Sequence, residues 1–318
     1  MVRSMDPNVI AAAVEAWNLI DVVSVETIVH AESVVILKTS GGDEFALKIT
    51  PPRQDWDRQR ALLLWLRNSE DLPVPVPMPS RSGFPFAEID GKHATLCQRL
   101  AGDIIHDHYG SDRLGRAKEF GRAIGRLDAA LAKWQWDELP DTTELYSQIN
   151  GRVVPAILDS GELFDQKRLR TVLPVFLDEL SRLAPALPEQ WIHRDTHGDN
   201  FLFDDGRVSG ILDFDLLQRS NRIIDPCYCS TSILITDWAT SDNRQRWPEI
   251  FREIISGYRE NVELTDSERA ALFHTLCSIE LIFMAFSSSH GWTDAARMNE
   301  DVFFWLCDYR REIESAIA

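Results

Sequence analysis

The sequence predicts an α+β fold in which a small antiparallel β-sheet comes first and a mainly α-helical region follows. Short β-branched segments separated by turn residues recur up to about residue 100. From about residue 114 onwards, apolar residues recur at three- and four-residue steps, which is the period of an amphipathic helix. The length of 318 residues suits one large domain or two lobes.

The first segment predicts a helix and then a meander of strands. Asp6 is a good N-cap residue, and Pro7 is suited to the first helical position. Three short strands follow in the sequences SVETIVH, SVVILKTS and EFALKIT. The turn residues SGGD between the last two favour a β-hairpin, because glycine tolerates positive φ.

The rest of the first lobe predicts one helix and two more strands. The segment DWDRQRALLLWLRN is amphipathic, with Trp56 and Leu66 near one face, and a proline-rich run ends it. FPFAEI and HATLCQRL predict two strands that complete a sheet of about five strands. The sequence AGD is typical of a linker, so we expect the first lobe to cover residues 1–100.

The second lobe, residues 101–318, predicts helices almost throughout. One long amphipathic helix begins near residue 114, and only the region 191–215 returns to short strands. The further predicted helices cover residues 143–158, 166–184, 225–238, 246–260, 266–288 and 294–316.

The charge of the chain argues against a nucleic-acid partner. With 33 basic and 50 acidic residues the net charge is −17, so a polyanion would bind against the field of the protein. The same balance is compatible with a cationic small molecule. The odd count of five cysteines, without a two-residue spacer between any close pair, indicates reduced thiols.

The remaining composition predicts a cytoplasmic protein. The first ten residues lack the basic and apolar pattern of a secretory leader. Apolar runs such as ALLLWL and LIFMAF are too short to span a bilayer, so we expect no membrane association. A monomer or a homodimer is compatible with the sequence.

The segment WIHRDTHGDNFLF, residues 191–203, places charged and coordinating side chains between two apolar segments. It is followed by a short predicted hairpin and then by the sequence DFD, residues 213–215. The charged cluster precedes the first strand of the hairpin and DFD follows the second, so both emerge at the same end. Asp195 and Asp213 can therefore converge, with Asn200, on a site of hard oxygen ligands that suits Mg²⁺.

The spacing of His193, Asp195 and Asn200, followed by DFD, resembles the catalytic and metal-binding loops of the protein-kinase-like fold. The second histidine, His197, the short hairpin and the helical region after it are more specifically similar to the aminoglycoside phosphotransferase and choline kinase family. That family also includes homoserine kinases. The sequence FALKIT places Lys48 on the third strand, as the family does.

The resemblance implies a two-lobed fold with ATP, or alternatively GTP, as cosubstrate and Mg²⁺ as cofactor. The implied reaction transfers the γ-phosphoryl group to a hydroxyl of a small molecule, such as an aminoglycoside, choline or homoserine. Asp195 would accept or orient the proton of that hydroxyl, Asn200 and Asp213 would bind Mg²⁺, and Lys48 would hold the α- and β-phosphates.

The resemblance also implies roles around these four residues. Ser33 would lie over the phosphates, and Gln98 and Leu100 would meet the adenine edge. His193, Gln59 and Asp225 would support the site, while His197 and Asp215 would contact substrate or metal. In the family Trp134, Trp136 and Trp292 fall in segments on the substrate side, which allows an aromatic site for a quaternary amine.

Two residues depart from the family pattern. Gln59 stands where the family has a glutamate that pairs with the lysine, and a neutral amide accepts a hydrogen bond from Lys48 without neutralising it. Asp55 or Asp57 could substitute if the helix were shifted by about one turn. Arg194 stands where small-molecule kinases usually carry glycine.

Two other functions are compatible with the same residues. A metal-dependent hydrolase would use His193, Asp195 and His197 as an alternating ligand set, presented on one side of a strand. A nucleotide-binding pseudokinase would act as a scaffold, which is suggested by Gln59. Under the first of these alternatives, Lys48 and the spacing to Asn200 would be coincidences.

Overall fold

A computed structural model of the chain describes residues 5–28, 33–135 and 144–317. Its contacts divide the chain into two compact units. Unit 1 consists of residues 1–102 together with 209–212, and unit 2 consists of residues 103–208 together with 213–318. The assignment of residues 1–100 to nucleotide binding and of 101–318 to catalysis stays a prediction.

Unit 1 is built from one antiparallel sheet and two helices. The sheet has five strands in the order β1-β2-β3-β5-β4. Each element lies where the sequence predicted one. The elements are α1 (Pro7–Ala16), β1 (Val22–Thr27), β2 (Val34–Thr39), β3 (Glu44–Thr50), α2 (Trp56–Ser69), β4 (Ala87–Ile89) and β5 (Lys92–Gln98).

The core of unit 1 is centred on β2. Val35, Ile36 and Leu37 are all buried, and because successive strand residues point to opposite faces, both faces of β2 are covered. Leu47 on β3 lies opposite Leu96 on β5, and both side chains are fully buried. Full burial of each such side chain contributes about 1.5–3 kcal/mol, so this cluster holds β3 firmly in the sheet.

Helix α2 buries the face that the sequence predicted. Trp56, Leu62 and Leu66 are buried, and so is Gln59 on the same helix. The indole Nε1 of Trp56 donates a hydrogen bond of 2.7 Å to His93 Nδ1 on β5. The first turn of α2 is therefore tied directly to the sheet.

Unit 2 is mainly helical. Its helices are α3 (Arg113–Leu131), α4 (Leu145–Gln148), α5 (Val154–Asp159), α6 (Gln166–Leu183), α7 (Ile224–Thr236), α8 (Ser241–Tyr258), α9 (Asp266–Ser289), α10 (Thr293–Asp308) and α11 (Arg310–Ile317). They confirm the predicted helical region.

Three predicted helices have different limits in the structure. The segment predicted as one helix over 143–158 contains a π-helical turn, Ile149–Val153, between α4 and α5. The helix predicted over 294–316 is broken at Tyr309, where ψ is 17° and the ring stacks on Trp305. Helix α8 begins at Ser241, before the predicted start at residue 246. The prediction missed its first turns because they are polar and lack an apolar period.

Helices α3 and α8 approach so closely that their backbones are in contact. A Cβ atom placed on Gly257 of α8 would lie 2.1 Å from the carbonyl oxygen of Lys118 on α3. A Cβ atom on Gly121 of α3 would lie 1.9 Å from the carbonyl oxygen of Ile254. Only glycine fits at either position, because real Cβ contacts do not reach such distances.

Short strands frame the 191–215 region. They are β6 (Asp103–Ile104), β7 (Glu189–Ile192), β8 (Phe201–Asp204), β9 (Arg207–Ile211) and β10 (Gln218–Asn221). Strand β10, with the polar sequence QRSN, was not predicted, and it pairs with β7 in antiparallel register. Residues 209–212 group with unit 1, where Ser209 Oγ donates to the Ala101 carbonyl at 2.7 Å.

Within the described residues, α9 is the one helix that is long and apolar enough to cross a membrane by length and composition. The sequence-based expectation that every apolar segment is too short was therefore wrong for this helix of 24 residues. However, 72% of its most apolar window is buried inside the protein. Packing against the neighbouring helices accounts for its apolar composition, as for a core helix.

Candidate active site

The candidate site is centred on the loop of residues 193–200, which leaves β7 after Ile192 and enters β8 at Phe201. Arg194 adopts a left-handed conformation with φ of +69°, and the last three residues form a short 3₁₀ helix, Gly198–Asn200. The backbone therefore leaves strand geometry before Asp195, and the side chain of Asp195 is 20% exposed.

Three side chains of unit 2 surround the Asp195 carboxylate. The Asn200 amide Nδ2 donates to Asp195 Oδ2 at 3.0 Å and to the Asp195 carbonyl at 2.7 Å. The Tyr228 hydroxyl lies 3.4 Å from Oδ1, and His197 Nε2 lies 3.7 Å from Oδ2. Burial and the Asp195 charge raise the pKa of the Tyr228 hydroxyl, so it remains a donor.

His193 is a fully buried part of this loop. Its Nδ1 accepts a hydrogen bond of 3.2 Å from the backbone N–H of Asp195, and its ring packs edge-on against Phe214. These contacts fix the backbone of Asp195 from one side. The supporting role of His193 in catalysis stays a prediction.

Asp225, near the start of α7, holds the loop from the other side. Its Oδ2 accepts from the His193 N–H and its Oδ1 from the Arg194 N–H, both at 2.8 Å. The Thr196 hydroxyl donates to the Asp225 carbonyl at 2.6 Å. One buried residue therefore binds the backbone just before Asp195 and the side chain just after it.

Gly198 lies against the imidazole of His108. A Cβ atom on Gly198 would be 2.8 Å from His108 Cε1, so a larger residue would displace either the ring or the loop. His108 is buried, and burial lowers its pKa, so the ring is neutral. This contact limits the size of residue 198, which begins the 3₁₀ turn that carries Asn200.

The loop and the DFD sequence each provide one residue with an oxygen atom that can coordinate a metal ion. Asn200 uses its Nδ2 towards Asp195, which leaves its Oδ1 as an acceptor. Asp213 adopts φ of +56° and its Oδ1 accepts from the Asp215 N–H at 3.3 Å, so its carboxylate is oriented by its own turn. Amide and carboxylate oxygens of this kind fit Mg²⁺, which usually keeps few protein ligands and completes its shell with phosphates and water.

The structure does not form the ligand set that the hydrolase alternative requires. In residues 5–28, 33–135 and 144–317, no group of three His, Cys, Asp or Glu side chains is placed to hold a metal ion. Strand β7 ends at Ile192, and the left-handed Arg194 interrupts any strand alternation between His193 and His197. The expectation that a strand presents His193, Asp195 and His197 on one side was therefore wrong.

The predicted nucleotide-binding residues all lie in unit 1. Lys48 lies on β3, opposite Val34 of β2 and Thr95 of β5. Ser33 is exposed just before β2, and its carbonyl accepts from the Ile49 N–H at 2.8 Å. Gln98 ends β5 with an exposed side chain, and the partly exposed Leu100 follows.

The structure also bears on the unusual Gln59. Asp55 is one of the two residues that could replace the missing glutamate. It forms an ion pair of 2.7 Å with Arg53, and the hydrogen bonds from Arg53 lower the pKa of Asp55. Asp57 is exposed at the start of α2. Gln59 itself is buried, with 4% of its surface accessible.

Several residues at the site were missed from the sequence. Tyr228 follows Asp225 by three positions on α7, so the helical period places both on one face, next to the loop. Thr196 and His108 carried no distinguishing pattern. Asp128, within an otherwise apolar face of α3, is fully buried and was a signal that could have been recognised.

A row of aromatic rings continues from Tyr228. Tyr228 stacks on Phe283 with centroids 5.4 Å apart, and Phe283 contacts Phe286. The ring centroids of Phe286 and Trp292 are 5.6 Å apart, and the two residues are 45% and 54% exposed, respectively. Of the tryptophans noted in the sequence, Trp136 lies outside the described residues.

A model of the phosphotransferase enzyme family, APH, matches residues 26–269, which is most of the chain. The match includes Lys48, the 193–200 loop and Asp225. The chain belongs to the APH phosphotransferase family.

Relatives within this family include homoserine kinases. The homoserine kinase of Pseudomonas aeruginosa is 26% identical over 212 residues, which are 65% of this chain and 61% of that protein. The homoserine kinase of Neisseria meningitidis serogroup B is 35% identical over 156 residues, 49% of this chain and 47% of that protein. The matched part thus spans about three fifths or less of the length of these relatives.

Solved structures of several kinases share the fold over nearly the whole chain. A microcompartment-associated aminopropanol kinase has a TM-score of 0.72 at 18% identity and covers 97% of this chain and 99% of its own. An amicoumacin kinase in complex with AMP-PNP and Ca²⁺ has a TM-score of 0.67 at 18% identity, covering 98% and 94%. These similarities confirm the two-part, protein-kinase-like fold that the sequence predicted.

Proposed function

We propose that this chain transfers the γ-phosphoryl group of a nucleoside triphosphate to a hydroxyl of a small molecule. The observation that carries the proposal is the Asp195 carboxylate, which is partly exposed and held by Asn200 on a loop whose backbone is fixed by Asp225. A carboxylate in this position accepts or orients the proton of the attacking hydroxyl. Membership of the phosphotransferase family supports the same reaction.

Lys48 would hold the α- and β-phosphates, Ser33 would approach them from the turn before β2, and Gln98 and Leu100 would meet the base. Asn200 and Asp213 would hold Mg²⁺ through oxygen atoms, with His197 and Asp215 as further contacts to metal or substrate. Bound Mg²⁺ would neutralise negative charge on the phosphates of the nucleotide. Positioning by the protein then does most of the catalysis.

ATP is the proposed donor, and GTP is the second candidate. The amicoumacin kinase was solved with AMP-PNP, whereas another neighbour is the GDP and kanamycin complex of an APH(2″) enzyme, with a TM-score of 0.67 at 16% identity, covering 95% of this chain and 99% of its own. A steady-state comparison of kcat/KM for the two nucleotides decides between them.

The proposed acceptor is a hydroxyl compound that carries an amine. The names of the relatives and neighbours, homoserine, aminopropanol and kanamycin, describe amine-bearing hydroxyl compounds. The exposed faces of Phe286 and Trp292 attract a cationic group, and the net charge of −17 favours its approach. We place the enzyme in the cytoplasm, as a monomer or homodimer.

The decisive experiment is an ATP-turnover assay against a panel of amino alcohols, homoserine and aminoglycosides. The variant Asp195→Asn should lower kcat by about 10²–10⁴-fold, because proton transfer to a positioned base contributes that much. Asp199→Asn is the matched control, since Asp199 is an exposed aspartate of the same loop. Equal activity of wild type and Asp195→Asn would overturn the proposed mechanism.

The same assay tests the pseudokinase alternative. A scaffold would bind ATP without turnover on any acceptor, whereas an enzyme would convert at least one. Restoring the glutamate with Gln59→Glu provides a second test, because a scaffold that lost activity through this residue would gain turnover. Glutamine and glutamate have nearly the same shape, so the substitution is close to isosteric at this buried position of α2.

A further inference from the structure

Two aspartates are fully buried beneath the 193–200 loop. Asp225 accepts hydrogen bonds from the backbone N–H groups of His193 and Arg194, one on each carboxylate oxygen. Asp128, on the last part of α3, lies beside the Asp225 carboxyl, and each carboxyl shifts the pKa of the other. Neither residue has any solvent-accessible surface.

The two oxygens of Asp128 have different surroundings. Oδ2 accepts a hydrogen bond of 2.8 Å from the hydroxyl of Tyr258 on α8. Oδ1 is buried, and no donor in the described part of the chain bonds to it. Asp128 Oδ1 therefore accepts no hydrogen bond from the described residues and lies in a residue next to a second carboxyl. A protonated Oδ1 would be a hydroxyl that can donate to that carboxyl.

The charged groups around the pair do not neutralise two negative charges. Arg222 is near Asp128, but its guanidinium forms two hydrogen bonds of 2.7 and 2.8 Å with Glu268. The other titratable groups that face the pair are Tyr258 on α8, Cys229 on α7, and His193 and Arg194 on the loop. Two adjacent carboxylates in such a site cannot both be ionised.

The distribution of donors decides which aspartate carries the proton. Asp225 receives two backbone N–H donors, which favour its ionised form, whereas Asp128 receives one hydroxyl. Burial, and then the Asp225 charge, raise the pKa of Asp128 well above its ordinary value. Each oxygen of Asp225 still has a lone pair available for a further donor.

We propose that Asp128 is protonated in the folded protein and donates a hydrogen bond from Oδ1 to the Asp225 carboxylate, and that this shared proton positions the loop that carries Asp195. Asp128 thereby acts as a positioning residue, through Asp225, and never touches the substrate. Its effect on catalysis rests on the proposed phosphotransferase function. The shared proton itself is a property of the fold alone.

The proposal has a consequence for pH dependence. The folded pKa of Asp128 is raised above its unfolded value, so the stability it contributes is present below the unfolded pKa and is lost as the pH rises through the folded pKa. Above that point Asp128 and Asp225 repel each other, and the loop shifts. The free energy of unfolding should therefore fall as the pH rises from the unfolded to the folded pKa of Asp128, and kcat should fall as the pH rises through the folded pKa.

The test compares Asp128→Asn with Asp128→Leu in the full-length protein. An amide at this position still donates to Asp225 and accepts from Tyr258, so Asp128→Asn should keep kcat within about threefold of wild type and lose the alkaline fall in kcat. Leucine has the same branched shape, although it is larger, and it has no donor, so Asp128→Leu should lower kcat by about tenfold while the KM for ATP stays within about twofold. Equal loss in both variants would overturn the proposal.

Difference infrared spectroscopy tests the proton without any turnover. The wild-type minus Asp128→Asn difference spectrum at neutral pH should show the carbonyl stretch of a protonated, buried carboxylic acid, while any such band of Glu280 is common to both proteins and cancels. If that band is missing, the proposal is wrong whether or not the protein is a kinase. If the band is present and no acceptor is phosphorylated, the proposed function fails instead. This readout also stands if Asp128→Leu does not fold.

Discussion

The side-chain amide of Asn200 donates one hydrogen bond to the carbonyl of Asp195 and another, of 3.0 Å, to its carboxylate. A single residue thus orients the proposed catalytic base and presents its own Oδ1 as a proposed metal ligand. The two functions are coupled, because the amide can rotate only by giving up both hydrogen bonds.

Loss of either proposed metal ligand should raise the requirement for Mg²⁺. We expect Asn200→Ala and Asp213→Asn each to increase the Mg²⁺ concentration for half-maximal turnover by about tenfold or more. Titration of activity with Mg²⁺ at saturating nucleotide measures it. Asp205→Asn, in the exposed turn between β8 and β9, is the control and should leave the titration unchanged.

A side chain at Gly198 should disturb the loop through His108. Gly198→Ala places a Cβ atom 2.8 Å from His108 Cε1, so we expect a loss of about 1–3 kcal/mol in the free energy of unfolding. Denaturant unfolding measures it. In a His108→Ala background the same change should cost much less, and an equal cost in both backgrounds would contradict the steric explanation.

The contact between α3 and α8 should not tolerate a methyl group. Gly257→Ala would bring a Cβ atom to 2.1 Å from the Lys118 carbonyl, so we expect a loss of about 3 kcal/mol or more, since backbone cannot move aside as a side chain can. Gly151→Ala is the control, because nothing lies within 4 Å of its Cβ position. It should be neutral or stabilise the protein by up to about 1 kcal/mol.

Glu280 should make the stability depend on pH. Burial raises its pKa well above the ordinary value, and neither carboxylate oxygen accepts a hydrogen bond of good geometry, although the Thr231 hydroxyl lies beside it. Its protonated form contributes full stability below the unfolded pKa, and this is lost as the pH rises through the folded pKa.

The variant Glu280→Gln should therefore be more stable than wild type at about pH 8 and similar to it at about pH 4. Thermal unfolding at both values measures the difference. Glu312→Gln, on the exposed side of α11, should show no such dependence. A stabilisation that is the same at both pH values would argue against an ionisable Glu280 as the cause.

The exposed aromatic rings should affect the acceptor and not the nucleotide. Trp292→Ala should raise the KM for an amine-bearing acceptor by about two- to fivefold, the effect of one exposed cation–π contact, with the KM for ATP unchanged. Tyr309→Ala removes another exposed aromatic ring, 42% accessible, and serves as control. A parallel rise in both KM values for Trp292→Ala would indicate a general structural effect.

The elements of the fold were largely predictable because they depend on local patterns. The strands of unit 1, the amphipathic face of α2 and the long helix α3 follow from periodicity and turn chemistry. Strand β10 and the break at Tyr309 were not predictable, since a polar strand and a local change of ψ leave no apolar pattern.

The sequence by itself determined the family and its set of candidate residues, because Lys48, Asp195, Asn200 and Asp213 occur at motif spacings along the chain. Tertiary structure alone decided which distant residues support them. Asp128 meets Asp225, and His108 meets Gly198, only because separate elements pack around the 193–200 loop. Such contacts join residues that are remote in sequence, and their energies depend on burial, which no local pattern records.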